Sequence, residues 1–329
     1  MLGIFKDFKD WDVPSQSLKS LKIPSILIQT TMKKALWLIA VLALAFAGDR
    51  LGGWLLGKIA RESQFRYSRL YRDDADCDIL FVGNSRGLIF YQPYVEEKTG
   101  LSTANLSYNG MPMTLAATLI KDHLDRHDRP MLLVMDISLL DKRMDAKLTA
   151  SFNTYSPYSE RISRMLRDSF PNDFYVGKVS HLYRYNSEVF HRALFYWKKS
   201  DKNWLLDRVI SPTMQQEVAS QKPFAFDFTP EMLASLADAV SYAKQKGVKV
   251  ELVVNPYYPP FFEKIANLDA LISEIEKATG LKVHNYANSI ADVNGFGDYQ
   301  HLNKHGSMIY LDKLMADGVL DDTSGLSSN

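Results

Sequence analysis

The chain has 329 residues, 46% of them hydrophobic, and 39 basic against 38 acidic side chains give a net charge of +1. That is apolar material for one large or two small domains with a real core, while near-neutrality and the lack of a dense Lys/Arg stripe exclude an electrostatic nucleic-acid binder. A single cysteine, Cys77, excludes an internal disulfide and any multi-cysteine metal site, and its place just before a buried strand makes it an inert core thiol.

Residues 1–32, with Phe5, Phe8, Trp11 and scattered lysines, are expected to form a cytoplasmic tail. Ala35 to Gly48 is then an uninterrupted small-and-apolar run preceded by Lys33 and Lys34. It is short of the ~20 residues that cross a bilayer, but a helix continuing through Asp49 and Arg50 into Leu51–Ala60 adds the length, giving a transmembrane anchor over 33–60. The basic residues before the run place the N-terminus in the cytoplasm and the rest of the chain outside. Met32-Lys33-Lys34 and Ala45-Phe46-Ala47 also fit a secretory signal peptide with an A-x-A site. Both readings export the remainder.

A helical neck over Ala60–Arg72 leads to a buried strand at Asp78–Val82, a helix over Gly87–Thr99 and a short strand at Ala104–Ser107. The next helix spans Met113–His127 and breaks at Arg129-Pro130, before a strand at Met131–Ile137. Later elements are a helix over Thr229–Lys246 with Gly247 at its end, a strand at Val248–Val254, a helix over Pro260–Thr279, a strand at Leu281–Asn285 and a terminal helix over His305–Ala316. Alternation at both ends, over 61–138 and 229–320, argues a three-layer α/β domain with a parallel sheet. Between them, 139–228 has no comparable strand. It reads as a helical, aromatic-rich insertion, with helices expected at Tyr158–Arg167 and Val176–Trp197. Its rings either pack on the sheet domain or hold sugars, and Tyr155, Tyr158 and Trp204 are the candidates for a glycan-stacking cleft.

Four separated segments supply the parts of one hydrolytic site: Gly83-Asn84-Ser85, Asn109-Gly110, Asn255, and Asp298-Tyr299-Gln300-His301. Ser85 follows a buried strand, so its hydroxyl falls at the sheet's carboxyl edge, where open α/β sheets bind ligands. A serine hydroxyl needs a base to take its proton. His301 is the expected base, and Asp298, three residues earlier, the carboxylate that orients it. Acyl chemistry also needs donors for a developing oxyanion, here the backbone N–H groups of Ser85 and Gly110 and the side-chain amide of Asn255. The remaining histidines lack partners at metal-ligand spacing, so no metal is assigned. Asn105-Leu-Ser107 is a formal glycosylation sequon inside an expected buried strand.

These blocks, in this order, resemble the SGNH (GDSL-like) hydrolase superfamily, and Asp298-Tyr-Gln-His301-Leu-Asn-Lys-His-Gly306 resembles its D-x-x-H-L-N-x-x-G ending. With its N-terminal apolar segment the chain is most similar to envelope-anchored SGNH-like proteins of exopolysaccharide O-acetylation or teichoic-acid D-alanylation. The likeness spans 78–320 and departs at Asn84, where the family carries aspartate. It implies an exported enzyme without a cofactor, in which Ser85 carries an acetyl or similar small acyl group to a hydroxyl of a cell-envelope or secreted polysaccharide. It also implies a multi-pass membrane O-acyltransferase as partner. A stand-alone esterase and a non-catalytic glycan-binding component of an export complex are the alternatives.

Overall fold

In a computed structural model of the protein, residues 25–321 are described, apart from 129, 142 and 144. The tail up to residue 24, the helix break at Arg129 and the polar end after Asp321 lie outside the described residues. The chain divides into two compact units, Met1–Gly48 and Asp49–Asn329.

Helix α1 runs unbroken over Ser25–Glu62. Its stretch Thr30–Glu62 is long and apolar enough to cross a membrane, by length and composition. A short α2 (Arg66–Tyr71) precedes the sheet. Five strands follow in the chain: β1 (Ile79–Val82), β2 (Thr103–Asn105), β3 (Leu132–Asp136), β4 (Lys249–Val254) and β5 (Val283–Asn285). All pair in parallel, in the order β2-β1-β3-β4-β5. Every residue of β1, β2 and β3 is buried, as β1 and β3, near-continuous apolar runs covered on both faces, should be.

Helix α3 (Gln92–Thr99) connects β1 to β2, and α4 (Met113–Arg126) connects β2 to β3. Strand order reverses at β1, so right-handed crossovers send α3 to one face and α4 to the other. The reversal makes the carboxyl end of β1 the switch point of the sheet, and Ser85 follows there. The expected helix over Gly87–Thr99 begins late because Pro93 fits only its first turn. Residues Ser85–Ile89 form a 3-10 turn instead.

The segment 139–228 holds α5 (Ala146–Ser151), α6 (Glu160–Ser169), α7 (Pro171–Val179), α8 (His181–Arg184), α9 (Glu188–Phe195) and α10 (Pro212–Ser220). The single helix expected over Val176–Trp197 is three, because Ser180 and Ser187 each cap a new start through their hydroxyls. Beyond it come α11 (Pro230–Gln245), α12 (Pro259–Phe262), α13 (Leu268–Thr279) and α14 (Lys304–Ala316). The helix expected over Pro260–Thr279 is interrupted before α13, where the Asn267 side chain bonds both the N–H and the carbonyl of Phe226. The 139–228 segment shares the compact unit of the sheet and is not a domain of its own.

Candidate active site

The turn after β1 is built on Asn84. Its carbonyl oxygen accepts from Arg86 N (2.9 Å) and the Ser138 hydroxyl (3.0 Å), while its amide donates to Ser138 O (2.9 Å). An ionised carboxylate in this place could accept but not donate. Two residues away on β3, buried Asp136 accepts from the Ser138 hydroxyl. Burial pushes its carboxyl up, against the pull of Arg86 and of Ser138. A second carboxylate at position 84 would face it. An amide at position 84 therefore suits the buried carboxyl beside it.

On this turn Ser85 is the first residue of the 3-10 helix, with its hydroxyl 2.9 Å from His301 Nε2. His301 Nδ1 lies 2.8 and 3.0 Å from the two oxygens of Asp298. Asp298 also accepts from the N–H groups of Gln300 and His301, both at 2.9 Å. Burial would raise this carboxyl, but the hydrogen bond and charge of His301 and the two backbone donors outweigh it and hold it below the usual range. Arg208 stands 3.7 Å away on the open side. The three expected residues therefore form a continuous hydroxyl–imidazole–carboxylate chain.

The loop bearing His301 is held by the motif that follows it. Asn303 caps α14 through Gly306 N (3.1 Å), while its amide ties down Asn294 O, Arg208 O and Phe296 O. Gly306 admits the close approach of Gly295, whose carbonyl would collide with a Cβ there.

Arg86, which sequence reasoning passed over, joins the two halves of the site. It is 3% exposed, and its guanidinium donates to the carbonyls of Gln300 (2.5 Å), Asn255 and Pro256 (3.2 Å). It lies 3.3 Å over the Tyr257 ring. One side chain thus fixes the serine turn against the histidine loop and the end of β4. The only sequence signals were an arginine directly after the nucleophile and an aspartate closing the best strand.

The donor set differs from expectation at one position. As the first residue of its turn, Ser85 carries an N–H that a helix start leaves without an internal partner. Gly110, at φ +68°, sits in a conformation that side chains resist, and a Cβ would press on Asp145. Its neighbour Asn109 lines the cavity over Ser85. Asn255, by contrast, is fully buried, its amide donating to Arg86 O (3.1 Å) and its oxygen accepting from Tyr310 (2.7 Å). It braces Arg86 and does not line the cavity over Ser85.

A cavity of about 200 Å³ opens on Ser85, His301 and Asp298, walled by Leu88, Ile89, Leu205, Leu206, Leu302 and Trp204. The strap 204–210 closes it by bonding the histidine loop, with Lys304 N to Leu206 O at 2.9 Å and Ile210 N to Phe296 O at 2.7 Å. Of the three aromatics expected in a cleft, only Trp204 is here, stacked on Tyr196 at 5.7 Å. Tyr155 is fully buried against Tyr67, Tyr71 and Phe152, with its hydroxyl on Ser68. Tyr158 faces a different cavity, beside Arg61. Both belong to the 3-10 turn Phe152–Tyr158 that packs the insertion against α2, so packing claimed them.

Elsewhere, burial pushes the Cys77 thiol up to about 12, as an inert thiol requires. Asn105 is buried and its amide bonds Gly87 O and Phe90 O, so the sequon serves the fold. Among the described residues no cluster of three His, Cys, Asp or Glu could hold a metal. No protein-family model matches the chain, and no curated protein matches it. The family likeness rests on the short blocks of the sequence.

Proposed function

We propose that the protein is a membrane-anchored serine acyltransferase of the SGNH type, moving a small acyl group onto a hydroxyl of a cell-envelope or secreted polysaccharide outside the cytoplasm. The observation that carries this reading is the Ser85–His301–Asp298 hydrogen-bond chain at the switch point of the sheet. In the first half-reaction His301 Nε2 takes the Ser85 proton as Oγ attacks the acyl carbonyl, and returns it to the leaving group as the donor bond breaks. In the second, an acceptor hydroxyl gives its proton to His301 and attacks the acyl-serine, and Ser85 regains a proton. The N–H groups of Ser85 and Gly110 supply the oxyanion donors. A cavity of about 200 Å³ is below the usual ligand-pocket range, which suits acetyl better than a long chain. A multi-pass O-acyltransferase would present the donor.

The test is intact-mass analysis after exposure to an aryl acetate, with and without the polysaccharide. An acetyl adduct on Ser85, discharged faster by glycan than by water, is the expected result. An adduct discharged equally fast without glycan makes the protein an esterase. No adduct, with polysaccharide acetylation surviving Ser85→Ala in cells, makes it a non-catalytic component.

A further inference from the structure

A second cavity, of about 760 Å³, lies between the distal half of α1 and the α8 region, away from the serine. Five cations line it, Arg50, Lys58, Arg61, Arg72 and Arg184, against one acid, Glu62. Lys58 is shared with Glu62 at 3.9 Å, and Arg72 is paired with Asp74. Arg61 and Arg184 have no carboxylate partner among the described residues. Arg184 is 8% exposed and its Nε, buried, makes no hydrogen bond. A buried donor left unmatched costs stability unless something else accepts it. Arg50 is shared with Asp49 at 3.6 Å. Burial, and then the charges of Arg184 and Arg50, hold the neighbouring His181 imidazole below its ordinary value against the pull of Asp49.

The same two elements carry exposed apolar side chains: Trp54 in the cavity wall and Leu51 on α1, and Val179 (75% exposed), Tyr175, Val176 and Leu182 on α7 and α8. Arg50 joins the two elements by donating to Val179 O (3.1 Å), and Gly52 packs on Leu182. An exposed apolar patch next to a cationic hollow, on the helix that carries the membrane-length run, is the pattern of a protein surface resting on lipid.

We propose that this cavity binds the phosphate of an anionic lipid headgroup. The apolar run Ala35–Gly48 ends just before Asp49 and Arg50, so with that run in hydrocarbon Arg50 and Trp54 stand toward the outer headgroups. The phosphate oxygens accept from Arg184 Nε, Arg61 and Lys58, while the patch on α7–α8 lies on the acyl boundary. The bilayer then fixes the catalytic unit at two points and not by the anchor alone.

Native mass spectrometry of the full-length, delipidated protein tests this, with phosphatidylglycerol and phosphatidylcholine in equal amounts. Preferential retention of phosphatidylglycerol is expected. The surface double variant Lys58→Gln/Arg61→Gln should cut it by up to about thirtyfold, the effect of two interfacial cations. This pair stands alongside Arg184→Gln in case the buried change disturbs folding. Equal retention of both lipids, or a preference untouched by the double variant, overturns the proposal. Displacement of the lipid by inorganic phosphate at equal concentration assigns the hollow to a free anion and also overturns it.

Discussion

Replacing Arg86 by methionine should unfasten the site while preserving most of the packing on Tyr257. The variant strands Asp136, which is fully buried, and strips a charged donor from the carbonyls of Gln300, Asn255 and Pro256. Leaving buried Asp136 without the nearby charge of Arg86, and three carbonyls without their charged donor, should cost about 3–5 kcal/mol, and at ~2–4 °C per kcal/mol for a unit of this size the melting temperature should fall by roughly 6–20 °C. Asp136 is already displaced upward by burial and held back partly by Arg86. Without Arg86 its folded-state value climbs further above the unfolded one, so the native state binds the extra proton. Stability of the variant therefore declines as pH rises from the unfolded carboxylate range to neutrality, more steeply than in the wild type. Adding Asp136→Asn should recover about half of the loss and flatten that slope, because the stranded charge is gone. Turnover should fall by about 10²-fold even below the melting transition, since the Gln300 carbonyl no longer holds the His301 loop. Tryptophan fluorescence melts of the full-length protein in detergent at the two ends of that pH range, with aryl acetate hydrolysis alongside, make the measurement. A loss under about 1 kcal/mol, or no recovery on adding Asp136→Asn, would refute the account of Arg86 as the clasp of the site.

Asp298→Asn should leave the melting temperature nearly unchanged yet lower turnover by about 10⁴-fold, because the amide favours the wrong histidine tautomer; near wild-type rates remove Asp298 from the relay. Asn84→Asp should destabilise by about 2–4 kcal/mol, since it deletes the donor to Ser138 O and sets a second carboxylate near Asp136; a melting temperature at or above wild type contradicts that. Trp204→Phe should slow transfer to polysaccharide more than hydrolysis of a small aryl acetate, and parallel losses would limit Trp204 to a wall of the cavity. His123 is held down to about 4, by burial first and then by His127. The unfolded chain takes up this proton below about 6.5, the folded one only near 4, so stability is lost as pH falls across that window, by on the order of 3 kcal/mol. Unfolding midpoints at pH 7 and 4.5 for wild type and His123→Gln check it, and identical pH slopes exclude the histidine.

Strands were legible because a parallel sheet buried on both faces writes itself as apolar runs, and β1, β3 and β4 stand within a residue or two of expectation. Ser85, Asp298 and His301 were legible because a hydroxyl directly after a buried strand and a carboxylate three residues before an imidazole in one late loop are the parts of such a chain. Helix interiors were less so. Ser180 and Ser187 are ordinary polar residues until their hydroxyls cap new helices, and one long helix becomes three. Asn255 shows the opposite failure. An asparagine at a strand end is a fair oxyanion donor by type, but its amide was already committed to Arg86 O, a partner 169 residues away. Tyr155 and Tyr158 failed similarly, because composition cannot tell a ring that packs from a ring that stacks on sugar. Arg86 was invisible because its role is defined entirely by carbonyls contributed from later segments.

The hydroxyl of Ser85 and the imidazole that would activate it are 216 residues apart in the chain. Closing a loop of that length has an entropic cost that scales as (3/2)RT ln n, roughly 5 kcal/mol, met only after β1, β3 and β4 have paired and the 294–304 loop has docked on the strap 204–210. Assembly of the relay is therefore a late event on the folding pathway, as expected where the decisive contacts are the most distant ones. A chain still emerging, or one whose end has not yet docked, has its serine in place with no base beside it. Such a protein is chemically silent until folding is complete, a form of latency that needs no propeptide and no inhibitor.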